Sequence, residues 1–382
     1  MKVGVIGAAT TAFGELWERS PRDLVTEAAG EAVRLAGLKY EQIDAFYVGN
    51  MLSGILGGQE NLGSLFTEEL GLTCPAFKIE GACASGGLAF YNACMAVRSG
   101  TFKTVLVVGV EKMTDHAPEL IAEGLMAAAS DAERQSGITF PGLYALMARA
   151  YMQKYELTEA QMASVAVKNH YHASLNGKAQ FRFPISIEQV LKSPKIADPL
   201  KLFDCSPISD GAAAVVVSSV SKRVENWVLV DGAGVATDSL GLAQRTSITS
   251  IPAAQRAAKV AFNQAKISPQ DIDVAEVHDC FTIAEIMAME DLGFFETGRA
   301  GRAIELGKTT LGQGRLVINT SGGLKAAGHP VGATGIKQIV EIAHQLTNQA
   351  GKKQVSHAKI GLTHNVGGSG AIAVIHIFKK GN

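Results

Sequence analysis

Two stretches far apart in this 382-residue chain repeat one pattern, and an internal repeat restricts the possible folds more than composition does. Glu27-Ala-Ala-Gly-Glu-Ala-Val-Arg-Leu-Ala-Gly-Leu38, followed by Ile43-Asp44, aligns with Arg256-Ala-Ala-Lys-Val-Ala-Phe-Asn-Gln-Ala-Lys-Ile267, followed by Ile272-Asp273, at an offset of 229 positions. Each reads as an Ala-rich amphipathic helix feeding a buried strand. A second match pairs Asp210-Gly-Ala-Ala-Ala-Val-Val-Val217 with Ser369-Gly-Ala-Ile-Ala-Val-Ile-His376 at an offset of 159, so the first copy carries at least 70 residues that the second lacks. The less strand-like stretch 114–204 is their natural place. The expected architecture is two α/β halves, residues 1–113 with 205–226 and residues 227–382, with residues 114–204 as an inserted loop domain in the first half.

Local patterning agrees with that division. Apolar runs at Val3–Ile6, Ala45–Val48, Thr104–Val110, Ala212–Val217, Val228–Val230, Val274–Val277, Lys359–Thr363 and Ile372–Ile377 alternate with helical stretches. Because these runs lack polar alternation, they predict strands covered on both faces. The 41 glycines cluster beside them and shape the turns between strands and helices. A dinucleotide-binding fold is the competing reading, but Gly4-Val-Ile-Gly7 lacks the GxGxxG spacing that phosphate approach requires.

With 47% hydrophobic and 19% charged residues the chain can bury sizeable cores. Its 35 basic and 36 acidic side chains leave a net charge of −1, which argues against nucleic acid as a partner. No apolar run approaches the roughly 18 residues of a membrane span, and the first residues read as a strand and turn instead of a targeting signal. Five scattered cysteines without CxxC spacing suit a reducing compartment, read here as cytoplasm, and argue against a disulfide framework or structural zinc.

Cys83 lies in Glu80-Gly-Ala-Cys-Ala-Ser-Gly-Gly-Leu88, between the strand-like Phe77-Lys-Ile79 and a helical run through Val97 that stops at Gly100. A thiol at a helix N-terminus is placed where unpaired amides favour thiolate, the form that attacks a carbonyl. A small buried core thiol is the alternative, and it is the reading for Cys74, Cys94 and Cys205. His329 precedes a helix running to about Leu346, in a Gly-rich turn comparable to that of Cys83. If a pseudo-twofold relates the halves, the two turns converge and the imidazole can take the thiol proton. His278-Asp-Cys-Phe281 follows a strand end, where α/β folds present chemistry, and Cys280 there could carry a second proton. His116, His170, His172, His344, His357 and His376 are read as structural or surface groups. The histidines and cysteines lack close metal-ligand spacing.

Taken together, these pieces resemble a thiolase over nearly the whole chain: Ala82-Cys-Ala-Ser-Gly-Gly87, Ser209-Asp-Gly-Ala-Ala-Ala214, His278-Asp-Cys-Phe281, Gly328-His-Pro-Val-Gly-Ala-Thr-Gly335 and His364-Asn-Val-Gly-Gly-Ser-Gly370. Where most thiolases have Asn-Glu-Ala-Phe this chain has His-Asp-Cys-Phe, and where most have Cys-x-Gly it has His364-Asn-Val366. In both respects it is similar to the sterol-carrier-protein type and its bacterial and archaeal relatives. Because the chain ends at Asn382, no appended lipid-transfer domain is expected.

The resemblance implies a layered αβαβα thiolase fold and an acyl-Cys83 intermediate. It implies His329 as base, Cys280 as the second catalytic thiol, and His278 with His329 as donors to an enolate oxygen. The amides completing an oxyanion hole are sought near Val366 and Gly367. Coenzyme A would be a cosubstrate and acyl-CoA the partner molecule, with no permanently bound cofactor and no metal. The resemblance also implies a homodimer or homotetramer, and a small accessory protein is a further candidate partner. The implied reaction is thiolysis of 3-oxoacyl-CoA or its reverse, Claisen condensation, within fatty acid metabolism. A ketoacyl-synthase-like condensing enzyme and an assembly-dependent or non-catalytic acyl-CoA-binding homologue are the alternatives. Residues 114–204, including the helices around Leu125–Met152 and the basic run Lys168-Asn-His-Tyr-His172, are expected to cover the acyl and pantetheine groups.

Overall fold

The computed structural model describes residues 1–220, 227–356 and 358–381; the expected boundary at 226/227, His357 and Asn382 lie outside them. The strands are β1 (Val3–Thr10), β2 (Ala45–Gly49), β3 (Ala76–Ile79), β4 (Thr104–Glu111), β5 (Lys195–Ala197), β6 (Leu200–Lys201), β7 (Gly211–Ser219), β8 (Val228–Thr237), β9 (Val274–Glu276), β10 (Val317–Ile318), β11 (Ile360–Gly367) and β12 (Ile372–Lys380). All eight expected apolar runs are strands. The two-residue β10 carries too short a pattern to be read from sequence.

Ten strands are ordered β10-β9-β11-β12-β8-β1-β7-β4-β2-β3, with β5 and β6 forming a separate hairpin. Read outward from the β8–β1 junction, each half repeats the same pairing: two antiparallel contacts, then two parallel ones. In this order β7 matches β12, the pair whose sequences match. Among the described residues the two sheets pair with each other only at Gly4–Leu229 and Val5–Val228, so the arrangement is two five-stranded sheets joined at one edge.

Alternate side chains of the central strands enter different cores, which is why β4 and β7 have no polar face over most of their length. Val105, Val107, Val215 and Val217 face a central core that includes Phe90, Ile336 and Val340, whereas Leu106, Val108, Ala214 and Val216 face Leu24, Val25 and Phe66 on the other side. Burying one such side chain contributes about 1.5–3 kcal/mol, so both faces favour the same strand register. The helices Ser85–Ser99 and Thr334–Leu346 fill the central layer; Pro21–Leu35 covers the outside of the first sheet and Pro252–Ala265 the outside of the second. This is the expected αβαβα layering.

Residues between β4 and β7 include the helices Pro118–Met126, Phe140–Tyr155 and Glu159–Ser174, whereas the equivalent connection from β11 to β12 is a short turn. Among the described residues, no helix is long and apolar enough to cross a membrane.

Candidate active site

The turn carrying Cys83 is held by its own neighbours. Ala82 takes a left-handed φ of +51°, and its amide donates to Glu80 Oε1 at 2.6 Å. For a residue with a Cβ that conformation costs about 1–2 kcal/mol. Ser85 secures it, its hydroxyl donating to the Ala82 carbonyl at 2.6 Å and accepting from the Gly81 amide at 3.0 Å. Cys83 thereby sits just before the helix Ser85–Ser99, which ends at Gly100 with φ +81°, as the sequence predicts.

His329 lies before the other central helix. Its amide donates to Ser209 Oγ at 2.9 Å, and Ser209 donates onward to Gln180 at 2.6 Å. On the ring, Nδ1 is 2.7 Å from Thr334 Oγ1, and that hydroxyl donates to the Pro330 carbonyl at 3.0 Å. The hydroxyl has one proton, so it accepts from Nδ1–H, and Nε2 is left with its lone pair.

Asn365 assigns the opposite tautomer to His278. The Gly87 amide donates to Asn365 Oδ1 at 3.2 Å, which fixes the orientation of the side-chain amide. Asn365 Nδ2 then donates to the Cys83 carbonyl at 2.9 Å and faces His278 Nδ1 at 3.3 Å. His278 must accept there, so its proton is on Nε2, a buried nitrogen with no partner among the described residues. The His278 amide donates to His364 Nδ1 at 3.3 Å, and the neighbouring Asp279 carboxylate accepts from the Leu324 amide at 2.6 Å and from Asn169 at 2.7 Å. These bonds dock the 278–281 loop against the turn before His329.

The ligating atoms of Cys83, His278 and His329 lie within 4.8 Å of one another, and the two rings meet edge to face at 5.2 Å. These donor types could serve zinc, but Asn365 holds His278 as a hydrogen-bond donor instead of a ligand. Cys280 lines the same cavity of about 240 Å³, so all four sequence-predicted residues meet there, drawn from both halves. The cavity's apolar wall includes Met113, Leu125, Phe140 and Val331.

Burial governs the resting charges. The Cys83 thiol is pushed up to about 12, although the Gly368 amide and its own amide favour the thiolate, and the His329 imidazole is pushed down to about 3. The pair therefore rests as thiol and neutral imidazole. This corrects the expectation from the helix terminus alone: the amides lower the thiol from a value already raised by desolvation, without making it a standing thiolate.

Sequence reasoning missed Thr334, five residues from the ring it orients, and Asn365 and Tyr144, whose contacts reach across the fold. Gly368, one residue beyond the pair singled out, lines the cavity with Cys83. Cys205, read as a core thiol, lines the cavity. The inserted region reaches the cavity through Pro118, Ala122, Leu125, Thr139, Phe140, Pro141 and Tyr144. Its basic run does not: Lys168 is buried and paired with Glu285 at 2.6 Å, because an unpaired ammonium at that depth would be too costly.

Comparison with known proteins agrees with the fold. The family description "Thiolase, N-terminal domain" matches residues 3–221, and "Thiolase C-terminal domain-like" matches 234–380. The acetyl-CoA acetyltransferase of Methanothermobacter thermautotrophicus is 49% identical, covering 99% of both chains. Sterol carrier protein 2 of Bos taurus is 32% identical over 100% of this chain and 72% of its own. Human mitochondrial 3-ketoacyl-CoA thiolase, solved in complex with CoA, superposes with a TM-score of 0.76 at 19% identity, covering 100% of this chain and 98% of its own. With two family matches spanning both halves and full-length relatives of this similarity, the chain belongs to the thiolase family.

Proposed function

We propose that the protein catalyses coenzyme A-dependent cleavage of 3-oxoacyl-CoA, or the reverse condensation of acetyl-CoA, through an acyl-Cys83 intermediate. The observation that carries this reading is the close grouping of the Cys83 sulfur with the His278 and His329 nitrogens in the cavity that Cys280 also lines. His329 Nε2 takes the thiol proton as Cys83 attacks the 3-keto carbon. The bond between carbons 2 and 3 breaks, its electron pair forms the acetyl-CoA enolate, and Cys280 protonates carbon 2. The resulting Cys280 thiolate takes the proton of a second coenzyme A, whose sulfur attacks the acyl group. Cys83 leaves and recovers its proton from His329.

Donors at the developing negative charges lower the barrier. The Nε2–H of His278 and the newly protonated Nε2 of His329 hold the enolate oxygen, and the Cys83 and Gly368 amides hold the oxyanion formed on Cys83. Coenzyme A acts as cosubstrate, with no permanently bound cofactor. A homodimer or homotetramer in the cytoplasm, working in fatty acid metabolism, completes the reading. The edge position and partial exposure of β3 support self-association, since an edge strand presents unpaired backbone groups. We also assign residues 114–204 to a substrate-covering subdomain.

The test uses purified full-length protein. Cys83→Ala should form no acetyl adduct with acetyl-CoA by mass spectrometry, and Cys280→Ser should lose at least about 10²-fold in both thiolysis and condensation. Normal thiolysis by Cys280→Ser would remove the two-thiol mechanism and favour a ketoacyl-synthase-like enzyme.

A further inference from the structure

The basic run 168–172 does not reach the cavity, but one of its residues holds the loop that does. Asn169, on the inserted helix Glu159–Ser174, is fully buried, and both protons of its side-chain amide are used: Nδ2 donates to Asp279 Oδ2 at 2.7 Å and to Glu285 Oε2 at 2.8 Å. Asp279 stands between His278 and Cys280. Its carboxylate also accepts from the Leu324 amide at 2.6 Å and the Lys325 amide at 3.2 Å, in the turn that leads to His329. A Cβ on Gly323 would lie 2.1 Å from Asp279 Oδ2, so that turn closes tightly on the carboxylate. Glu285 Oε2 accepts a second amide, from Asn319 at 2.8 Å, and Asn319 Oδ1 accepts from the Val277 amide at 2.8 Å. These bonds close a ring that runs through Asn169, Asp279, the chain back to Val277, Asn319 and Glu285. The loop carrying His278 and Cys280 is anchored on both sides by it.

We propose that Asn169 is a positioning residue: from the inserted region it holds the 278–281 loop, and with it His278 and Cys280, in place against Cys83. The inference rests on the roles proposed for His278 and Cys280, and it gives the inserted region a part in the reaction beyond covering the substrate. Burial, and after it the Glu285 charge, raise the Asp279 carboxyl, so the two carboxylates need donors between them. A neutral amide with two protons supplies both; a hydroxyl has one, and an ammonium would add a charge. Lys168 cannot take over, because its ammonium is paired with the other Glu285 oxygen at 2.6 Å and donates to the Ile318 carbonyl at 3.0 Å. Asn169 Oδ1, meanwhile, has no partner among the described residues. An unpaired buried carbonyl is destabilising, so packing does not explain an amide at this position, whereas its two donors do.

The test uses full-length Asn169→Leu protein, which keeps the volume and removes both donors. Deuterium uptake, resolved by peptide mass mapping, should rise at 277–281, where the Val277 and His278 amides are hydrogen-bonded. Thiolysis should lose about 10²-fold in kcat with KM held within about threefold, since a displacement of about 1 Å suffices for such a loss. Unchanged uptake at 277–281 in the folded variant overturns the proposal, and so does raised uptake with a normal kcat. Should Asn169→Leu not fold, Asp279→Asn sets donor against donor at the same hydrogen bond with almost constant volume. It should give the same pair of changes, and native uptake or native kcat there is equally decisive against the proposal. Cys280→Ser with normal thiolysis would remove the catalytic reading of Cys280, whereas the uptake measurement tests the anchoring of the loop separately.

Discussion

A single side-chain amide decides what His278 can do. Asn365 receives the Gly87 amide on its oxygen, so only its nitrogen is left for His278, and the imidazole must present Nε2–H to the cavity. Asn365→Asp exchanges that donor for an acceptor at almost constant volume. It should recruit Nδ1–H of His278, leave Nε2 as a lone pair and remove one enolate donor, lowering kcat by about 10²–10³-fold. Nitrogen-15 shifts of the histidine rings would report the tautomer, and a normal kcat with the reversed tautomer would show that His278 is no donor. Cys83 was identifiable because its Gly-rich turn is contiguous in sequence. Asn365 stands 282 positions from the carbonyl it holds, and no local pattern announces such a bond.

At the scale of elements, the decisive packing is between the starts of the two central helices. A methyl group on Gly335 would lie 2.2 Å from the Gly87 amide nitrogen and 2.3 Å from Asn365 Oδ1. Both neighbours are fixed, one as backbone and the other by its hydrogen bonds. Gly335→Ala should therefore separate the helices, costing about 1–3 kcal/mol by overpacking and lowering activity with stability. Thermal unfolding together with thiolysis checks this, and an unchanged melting temperature would mean that the helices have slack there. The helix and strand types themselves were plain in the sequence, because apolar runs buried on both faces and a helix closed by Gly100 rest on neighbouring residues. The basic run at 168–172 misled for the opposite reason: its burial depends on Glu285, a partner distant in the chain.

The molecule buries several titratable groups in both halves, and their balance bears on its acid stability. Burial lowers His170 to about 4 and His172, His329, His364 and His376 to about 3, and holds His278 well below its ordinary 6.5. These depressed bases contribute stability above about pH 6.5, and it is lost progressively as pH falls toward their folded values, since the unfolded chain takes up the protons. Glu111, Asp279 and Asp291 act in the other direction: burial raises each to about 7, so their contribution is greatest below about pH 4.5 and fades as pH rises toward 7. Burial also lowers His344 and raises Asp204, so seven imidazoles act against four carboxyls between pH 4.5 and 6.5. The melting temperature should therefore fall on acidification from pH 7 to 5. Calorimetry at these values checks the sign, and a rise would show that the carboxyls dominate.

What the sequence determined alone is what short separations can encode: two similar α/β halves, strands covered on both faces, a thiol at one helix start and a histidine near another. The thiolase resemblance then singled out Cys83, His278, Cys280 and His329, and the fold gathers these residues around one cavity. Tertiary structure decided which tautomer His278 holds and that the thiol and imidazole rest uncharged. Those outcomes depend on desolvation and on hydrogen bonds between residues brought together by the layers, and neither exists until the chain has closed around them.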